Sequence, residues 1–322
     1  MRQRHPPIIP PRLRFGDGVG IVAPGSPARE PGSVSGAIAA IRKLGFVPRP
    51  ARNVRKRHGF LAGSDDERAT DLMEMFLDPD VKAIFCLRGG YGAGRLLTML
   101  DYAAIRRNPK PLIGYSDITA LHCALLTQVN LVSFHGPLVL DGLGTRRMPA
   151  FTLASLFRTV MEPAPAGSIC EGHDSKSVRV LKRGRAEGRL IGGNLSLLCS
   201  MIGTPFQPDF RDAILFFEEI GEAPYRVDRM LTHLLNAGLL QRVVGIASGI
   251  HVNCQEDKTR RRREYRQTLE DVLEERLGRL KVPVITGLPF GHTVFNATLP
   301  IGVKATLDAE AGDLIVTEAA VR

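Results

Sequence analysis

Gly18-Val19-Gly20-Ile21-Val22-Ala23-Pro24 is a short apolar run closed by turn-forming residues, which reads as a buried strand. Residues 34–44 follow with apolar positions at helical spacing and stop at Gly45, a residue suited to ending a helix. A strand feeding a helix is the elementary α/β unit, and the pattern repeats downstream. A polar connection, Ala62-Gly63-Ser64-Asp65-Asp66, leads to a helix over residues 67–77 and a second buried strand over 81–87. A Gly-rich turn, Arg88-Gly89-Gly90-Tyr91-Gly92, comes next, then a helix over 94–100, a strand over 111–114 and a helix over 118–126. Repeated units of this kind predict a parallel sheet with helices on both faces, and ligands then bind at the carboxyl ends of its strands.

The chain has 322 residues, enough for about two domains at ~150 residues each. Residues 162–177 change texture to Pro, Ala, Gly, Ser and charged residues without apolar period, which is how a domain linker reads. Beyond them come short strands over 177–180, 213–217, 244–250, 282–286, 302–307 and 313–317, with helices over 195–201, 227–237 and 264–280. The expected fold class is therefore α/β, with a parallel-sheet N-terminal domain over residues 1–165 and a smaller, mixed α/β C-terminal domain over 178–322.

Composition narrows the function classes. An apolar fraction of 44% and a charged fraction of 24%, with 33 glycines and 22 prolines, exclude disordered and collagen-like chains. No apolar stretch approaches the ~18 residues needed to cross a bilayer, and no membrane association is expected. Residues 1–5 are basic, but Pro6-Pro7-Ile8-Ile9-Pro10-Pro11 cannot form the apolar helix of a secretory signal, so a cytoplasmic location is expected. Five cysteines without a CxxC indicate neither a disulfide framework nor a zinc knuckle. Eight histidines include no HExxH, so no metal and no other cofactor is expected. The net charge of +10 is concentrated partly in Arg260-Arg261-Arg262-Arg263. That run can begin a solvated helix or bind phosphate, but no nucleic-acid fold signature accompanies it, and no nucleic-acid partner is expected.

Four features carry chemistry. The turn at Gly89-Gly90-Tyr91-Gly92 matches neither GxGxxG nor a P-loop; it is either a tight turn or a place where backbone N–H groups meet an oxyanion. In Leu112-Ile113-Gly114-Tyr115-Ser116-Asp117-Ile118-Thr119 a strand passes through glycine into Ser116 just where a helix begins. A serine at such an elbow projects its hydroxyl over the sheet edge, though Ser116 or Asp117 can equally cap the helix. The apolar run over 213–217 ends in Glu218-Glu219, and His292 sits in a loop bounded by Gly and Pro after the run over 282–286. Ser, Glu, His is a chain order that hydrolytic triads use.

Gly16-Asp17 with Val22-Ala23-Pro24, the Arg88–Gly92 turn, Gly114-Tyr115-Ser116-Asp117, Phe134-His135-Gly136-Pro137, Gly192-Gly193-Asn194-Leu195, Glu218-Glu219-Ile220-Gly221-Glu222-Ala223-Pro224-Tyr225-Arg226-Val227-Asp228-Arg229 and Gly291-His292 form an ordered series. Over residues 12–307 this series resembles the LD-carboxypeptidases, a serine peptidase family. The resemblance implies a Rossmann-like or amidotransferase-like first domain and a second domain that supplies the acid and the base. It implies a cytoplasmic muramoyltetrapeptide carboxypeptidase, often a homodimer, that removes terminal D-alanine from the L,D bond of peptidoglycan tetrapeptides. Carried over, Ser116 is the nucleophile, Glu218 the acid and His292 the base, with the N–H of Asp117 and of Gly89 or Gly90 as the oxyanion hole. Glu219 is the alternative acid.

The chemistry agrees with that assignment. An isolated serine hydroxyl is too weakly acidic to attack an amide at neutral pH and needs a base such as neutral imidazole. Ser116 lies in the first half and the other two in the second, so the site must assemble between the halves. A carboxypeptidase must also hold a free carboxylate, for which the guanidinium of Arg88 is a candidate. Tyr225 and Arg226 are candidates for lining the cleft. Two rival readings are a same-family hydrolase of peptidyl or aminoacyl nucleotides and a non-catalytic protein that binds anionic ligands. The nucleotide subgroup stacks its base on tryptophan, and this chain has none.

Overall fold

The computed structural model describes residues 6–30, 32–144, 148–174, 176–255 and 267–322. The arginine run at 260–263 lies outside them. In chain order the first half contains β1 (Gly18–Val22), α1 (Ser33–Lys43), β2 (Val47–Pro50), α2 (Asp65–Leu77), β3 (Val81–Cys86), α3 (Tyr102–Arg107), β4 (Leu112–Gly114), α4 (Thr119–Val129), β5 (Ser133–His135) and α5 (Ala150–Met161). The second half contains β6 (Pro165–Ser168), β7 (Arg179–Lys182), β8 (Arg185–Asn194), α6 (Leu195–Met201), β9 (Ala213–Glu218), α7 (Pro224–Asn236), β10 (Gly245–Ile250), α8 (Leu269–Leu277), β11 (Val284–Gly291), β12 (Leu299–Ile301), β13 (Lys304–Asp308) and β14 (Asp313–Ala319).

Two sheets organise these strands. The first has the order β12-β5-β4-β3-β1-β2, with β2, β1, β3, β4 and β5 parallel and β12 antiparallel at the edge. The second has the order β6-β14-β13-β8-β9-β10-β11-β7, a parallel centre of β8, β9, β10 and β11 flanked by antiparallel strands. The α/β class follows from the central strands: β1 and β9 are buried along their whole length, so they need cover on both faces.

Helix α4 is the connection that matters for the site. Its residues from Thr119 to Leu125 are all buried, and it packs against α6 and β8 of the second half. A helix apolar on every side belongs between layers rather than on a surface. Helix α2 starts at a capping box, in which Ser64 and Glu67 satisfy each other's backbone N–H groups.

Several boundaries differ from the sequence reading. The helix expected over 94–100 is a single 3-10 turn, Ala93–Leu96, because Gly92 enters it at φ 128° and Gly94 adds little helical preference. Part of the stretch read as a linker forms edge strand β6, whose first residue, Pro165, needs no ladder N–H. Strand β11 runs on to Gly291, five residues past the expected end, so His292 opens the loop directly beyond the carboxyl end of that strand. Register shifts opposite Gly249 absorb the extra residues, and Gly287 at φ 75° lets the chain pass Ser177, whose carbonyl oxygen would lie 2.0 Å from an added Cβ.

Candidate active site

Strand β4 ends at Gly114, and Ser116 opens a 3-10 turn, Ser116–Ile118, that runs straight into α4. Ser116 has φ 65°, one of few non-glycine residues in the left-handed region, a conformation costing on the order of 1 kcal/mol or more. Strained backbone at an elbow between strand and helix lifts the hydroxyl over the sheet edge. Asp117 does not cap the helix: its buried carboxylate accepts the N–H of Ala93 at 2.8 Å and so ties the elbow to the Gly-rich turn. Burial raises the Asp117 carboxyl, and hydrogen bonds from the Ala93 and Gly92 N–H groups oppose the rise.

The turn itself lies against the serine. A Cβ on Gly89 would stand 2.9 Å from Ser116 Cβ and 3.2 Å from its Oγ, so only glycine allows this approach. Ser26 clips the turn from the other side, donating its N–H to the Gly89 carbonyl at 2.9 Å and accepting the Tyr91 N–H at 3.1 Å. Buried Arg68 braces both loops through the carbonyls of Pro24 and Gly92.

From the second sheet come the other two groups. Glu218 is the last residue of β9 and is fully buried, and His292 follows the last residue of β11. His292 Nε2 lies 3.0 Å from Ser116 Oγ, and His292 Nδ1 lies 2.6 Å from Glu218 Oε2. Gly291 makes the second contact possible, since a Cβ there would stand 2.9 Å from Glu218 Cβ. The Tyr115 ring meets the His292 ring edge-on at 4.8 Å between centroids. Burial would raise the Glu218 carboxyl, but the hydrogen bond and charge of His292 hold it below the ordinary glutamate value. The arrangement supplies a hydroxyl, a base within reach of it, and an anion that orients the base.

Glu219 points elsewhere. It accepts the N–H and Oγ–H of Ser196 at 2.8 and 2.6 Å, the Ile220 N–H at 2.9 Å and Asn194 Nδ2 at 2.9 Å. Burial raises its pKa, and those donors oppose the rise. Arg88 donates to the Pro27 carbonyl at 3.1 Å and stands 3.7 Å from Asp141, so its guanidinium is engaged with neighbouring loops. Arg226 is bonded to the Tyr225 hydroxyl at 3.0 Å and to Glu222 at 3.3 Å, on the exposed first turn of α7. The structure thus brings together Ser116, Asp117, Gly89, Glu218 and His292, and places Tyr225 and Arg226 on the surface.

Three further residues of the site lie within the motifs quoted above but were given no role there. The Asn194 backbone N–H donates to Thr119 Oγ1 across the two halves at 2.9 Å, and the Asn194 side chain caps α6. His135 is buried among the rings of Tyr115, Phe216 and Phe290 behind Glu218 and His292, and among the described residues neither of its ring nitrogens has a hydrogen-bond partner. Among the described residues, no cluster of three or more His, Cys, Asp or Glu is placed to hold a metal, and no helix is long and apolar enough to cross a membrane.

His135 gives a pH prediction. Burial pushes its pKa down to about 3, against ~6.5 for an unfolded histidine. The folded ring stays neutral while the unfolded one takes a proton, so stability is full above pH ~6.5 and falls as pH drops toward the folded value, by about 2 kcal/mol at pH 5. Other buried groups titrate in the same range, the raised carboxyls with opposite sign, but a His135→Phe variant shares them. Its loss of Tm between pH 7 and pH 5 should be smaller than wild type's by roughly 4 °C. Equal losses, measured by circular dichroism, would contradict the buried neutral ring.

Comparison with known proteins decides the family. A model of the LD-carboxypeptidase N-terminal domain matches residues 19–136, and one of the LD-carboxypeptidase C-terminal domain matches residues 187–307. The chain belongs to the LD-carboxypeptidase family. It is a serine-family peptidase, a hydrolase of the carboxypeptidase type. It is 40% identical over 299 residues, 93% of this chain and 91% of the relative, to a protein of Bacillus subtilis named "Probable murein peptide carboxypeptidase". A crystal structure of muramoyltetrapeptide carboxypeptidase from Oxalobacter formigenes superposes with a TM-score of 0.81 at 35% identity, covering 94% of this chain and 99% of that one. The microcin C7 self immunity protein MccF in complex with aspartyl sulfamoyl adenosine gives a TM-score of 0.87 at 27% identity, covering 98% and 100%. The chain is thus similar to both kinds of protein that the sequence reading set against each other.

Proposed function

We propose that the protein is a serine carboxypeptidase that releases terminal D-alanine from the L,D bond of peptidoglycan-derived tetrapeptides. The observation that carries this reading is the unbroken chain from Ser116 Oγ to His292 Nε2 at 3.0 Å and from His292 Nδ1 to Glu218 at 2.6 Å. The names of the murein-peptide relatives supply the substrate class.

In the proposed reaction Ser116 Oγ attacks the scissile carbonyl carbon while His292 Nε2 takes the hydroxyl proton. The carbonyl oxygen becomes an oxyanion facing the N–H of Asp117 and of Gly89 or Gly90, where the start of a helix favours negative charge. Glu218 stabilises the imidazolium. Collapse breaks the C–N bond, and His292 passes its proton to the departing amine of D-alanine. Water then attacks the acyl-enzyme, giving a proton to His292, which passes it to Ser116 Oγ as the tripeptide leaves. Arg88 is proposed to meet the terminal carboxylate, with Tyr225 and Arg226 at the rim. The family habit of a cytoplasmic homodimer is part of the same proposal.

A second reading, hydrolysis of aminoacyl nucleotides, is favoured by the structural likeness to the immunity protein. The absence of tryptophan weighs against it, although the exposed Phe60 and Tyr91 rings, 5.6 Å apart beside the Gly-rich turn, offer another stacking surface. Mass spectrometry of products from a murein tetrapeptide and from an aminoacyl sulfamoyl adenylate separates the two. Release of one alanine from the tetrapeptide is the expected result, and turnover of the adenylate alone would overturn the assignment.

A further inference from the structure

Glu218 is a fully buried carboxylate with two oxygens, and His292 uses only Oε2. A carboxylate held at one oxygen can still rotate about its own axis, which would loosen the imidazole it orients. The other oxygen, Oε1, lies 3.4 Å from Asn194 Nδ2, a long contact of the kind expected from a shared amide hydrogen. What holds that amide is therefore the relevant question.

Asn194 is the last residue of β8, directly beside Glu218 in the parallel register of β8 and β9. Its side-chain oxygen accepts the Leu197 N–H at 3.3 Å, which fixes which end of the amide is NH₂. That NH₂ donates to Glu219 Oε1 at 2.9 Å, and Glu219 is in turn locked by Ser196 and the Ile220 N–H. Its backbone N–H donates to Thr119 Oγ1 at 2.9 Å. Thr119 is the first residue of α4, three positions after Ser116. Gly193 makes the crossing possible: at φ 147°, any Cβ there would stand 2.5 Å from the Thr119 side chain. All of Thr119, Asn194 and Glu219 are buried, so water does not compete for these bonds.

We infer that Thr119, Asn194 and Glu219 form a strut between the two halves of the protein, in which Asn194 is a positioning residue that sets the triad acid relative to the helix that directly follows the nucleophile. The inference rests on the hydrolytic reading above and adds a second mechanical link between Ser116 and Glu218, independent of His292. It also explains why consecutive acids end β9: Glu218 faces the imidazole, and Glu219 anchors the amide that steadies Glu218.

The test uses kcat, KM, the pH profile and the rate at which a fluorophosphonate labels Ser116 with loss of fluoride, read by mass spectrometry. Thr119→Val keeps the shape and deletes the acceptor, and should lower both kcat and labelling rate roughly 10- to 100-fold with KM changed about twofold or less. Thr119→Ser keeps the hydroxyl and should restore most of the rate. Asn194→Ala should lower kcat by about 100-fold and move the acid limb of the kcat profile upward, because Glu218 Oε1 loses its donor. A purely structural role would lower Tm without shifting that limb. A folded Thr119→Val protein labelled at the wild-type rate would overturn the strut, and so would an unshifted acid limb in Asn194→Ala. If Asn194→Ala does not fold, the Val and Ser pair at 119 decides. Labelling of wild type without cleavage of any murein peptide would reject the substrate reading while the labelling rates still test the strut. Failure of wild type to label at all would reject both.

Discussion

Replacing Ser116 by alanine is expected to lower kcat by roughly 10³- to 10⁶-fold while the fold survives. The size of the effect follows from the role of the atom removed: Oγ is the group within 3.0 Å of His292 Nε2, and without it no acyl-enzyme can form. The oxyanion donors and the binding groove remain, so a residue of rate over water should persist. The same position carries a stability prediction of opposite sign. Ser116 holds φ 65°, where glycine is unstrained, so Ser116→Gly should be inactive yet at least as stable as wild type, by up to about 1 kcal/mol. Thermal unfolding beside steady-state kinetics checks both. An alanine variant that keeps a tenth of wild-type turnover would remove Ser116 from the mechanism.

Glu218→Ala is expected to cost roughly 10²- to 10⁴-fold in kcat, against about tenfold or less for Glu219→Gln. The two acids are neighbours in sequence but differ in partners. Glu218 bonds the imidazole at 2.6 Å and stabilises its charged form, so its loss removes both the orientation of the ring and the counter-charge. Glu219 reaches the reaction only through Asn194, as an anchor. Kinetics of the two variants on one substrate give the comparison directly. Equal losses, or a larger loss at Glu219, would exchange their roles.

Much of this site was legible in the sequence because strand ends are legible. The runs over 111–114 and 213–217 are apolar on both faces, so they had to be buried strands, and the polar residues after their carboxyl ends had to sit at a sheet edge. That places Ser116 and Glu218. The strand leading to His292 was read as ending at Thr286, because a strand containing Gly287, Pro289 and Gly291 defeats any count of alternation. The three-residue strands β5 and β12 are too short to show a period, and β12 joins a sheet formed almost wholly by residues far earlier in the chain. No local pattern records such a return. The link between Thr119 and Asn194 was invisible for a similar reason: a helix start and an asparagine after two glycines are ordinary features until the fold sets them 2.9 Å apart. His135 reads as one more polar residue in an apolar stretch, and only the surrounding rings of Tyr115, Phe216 and Phe290 reveal its burial.

The most direct test of a serine hydrolase assembled from both sheets is to catch its covalent intermediate. Wild-type protein mixed with murein tetrapeptide, quenched in acid within the first turnover and digested, should yield a peptide spanning Ser116 that carries the tripeptide acyl group in ester linkage, alongside free D-alanine. Release of D-alanine with Ser116 unmodified at every quench time, or an acyl group mapped to another residue, would contradict the account.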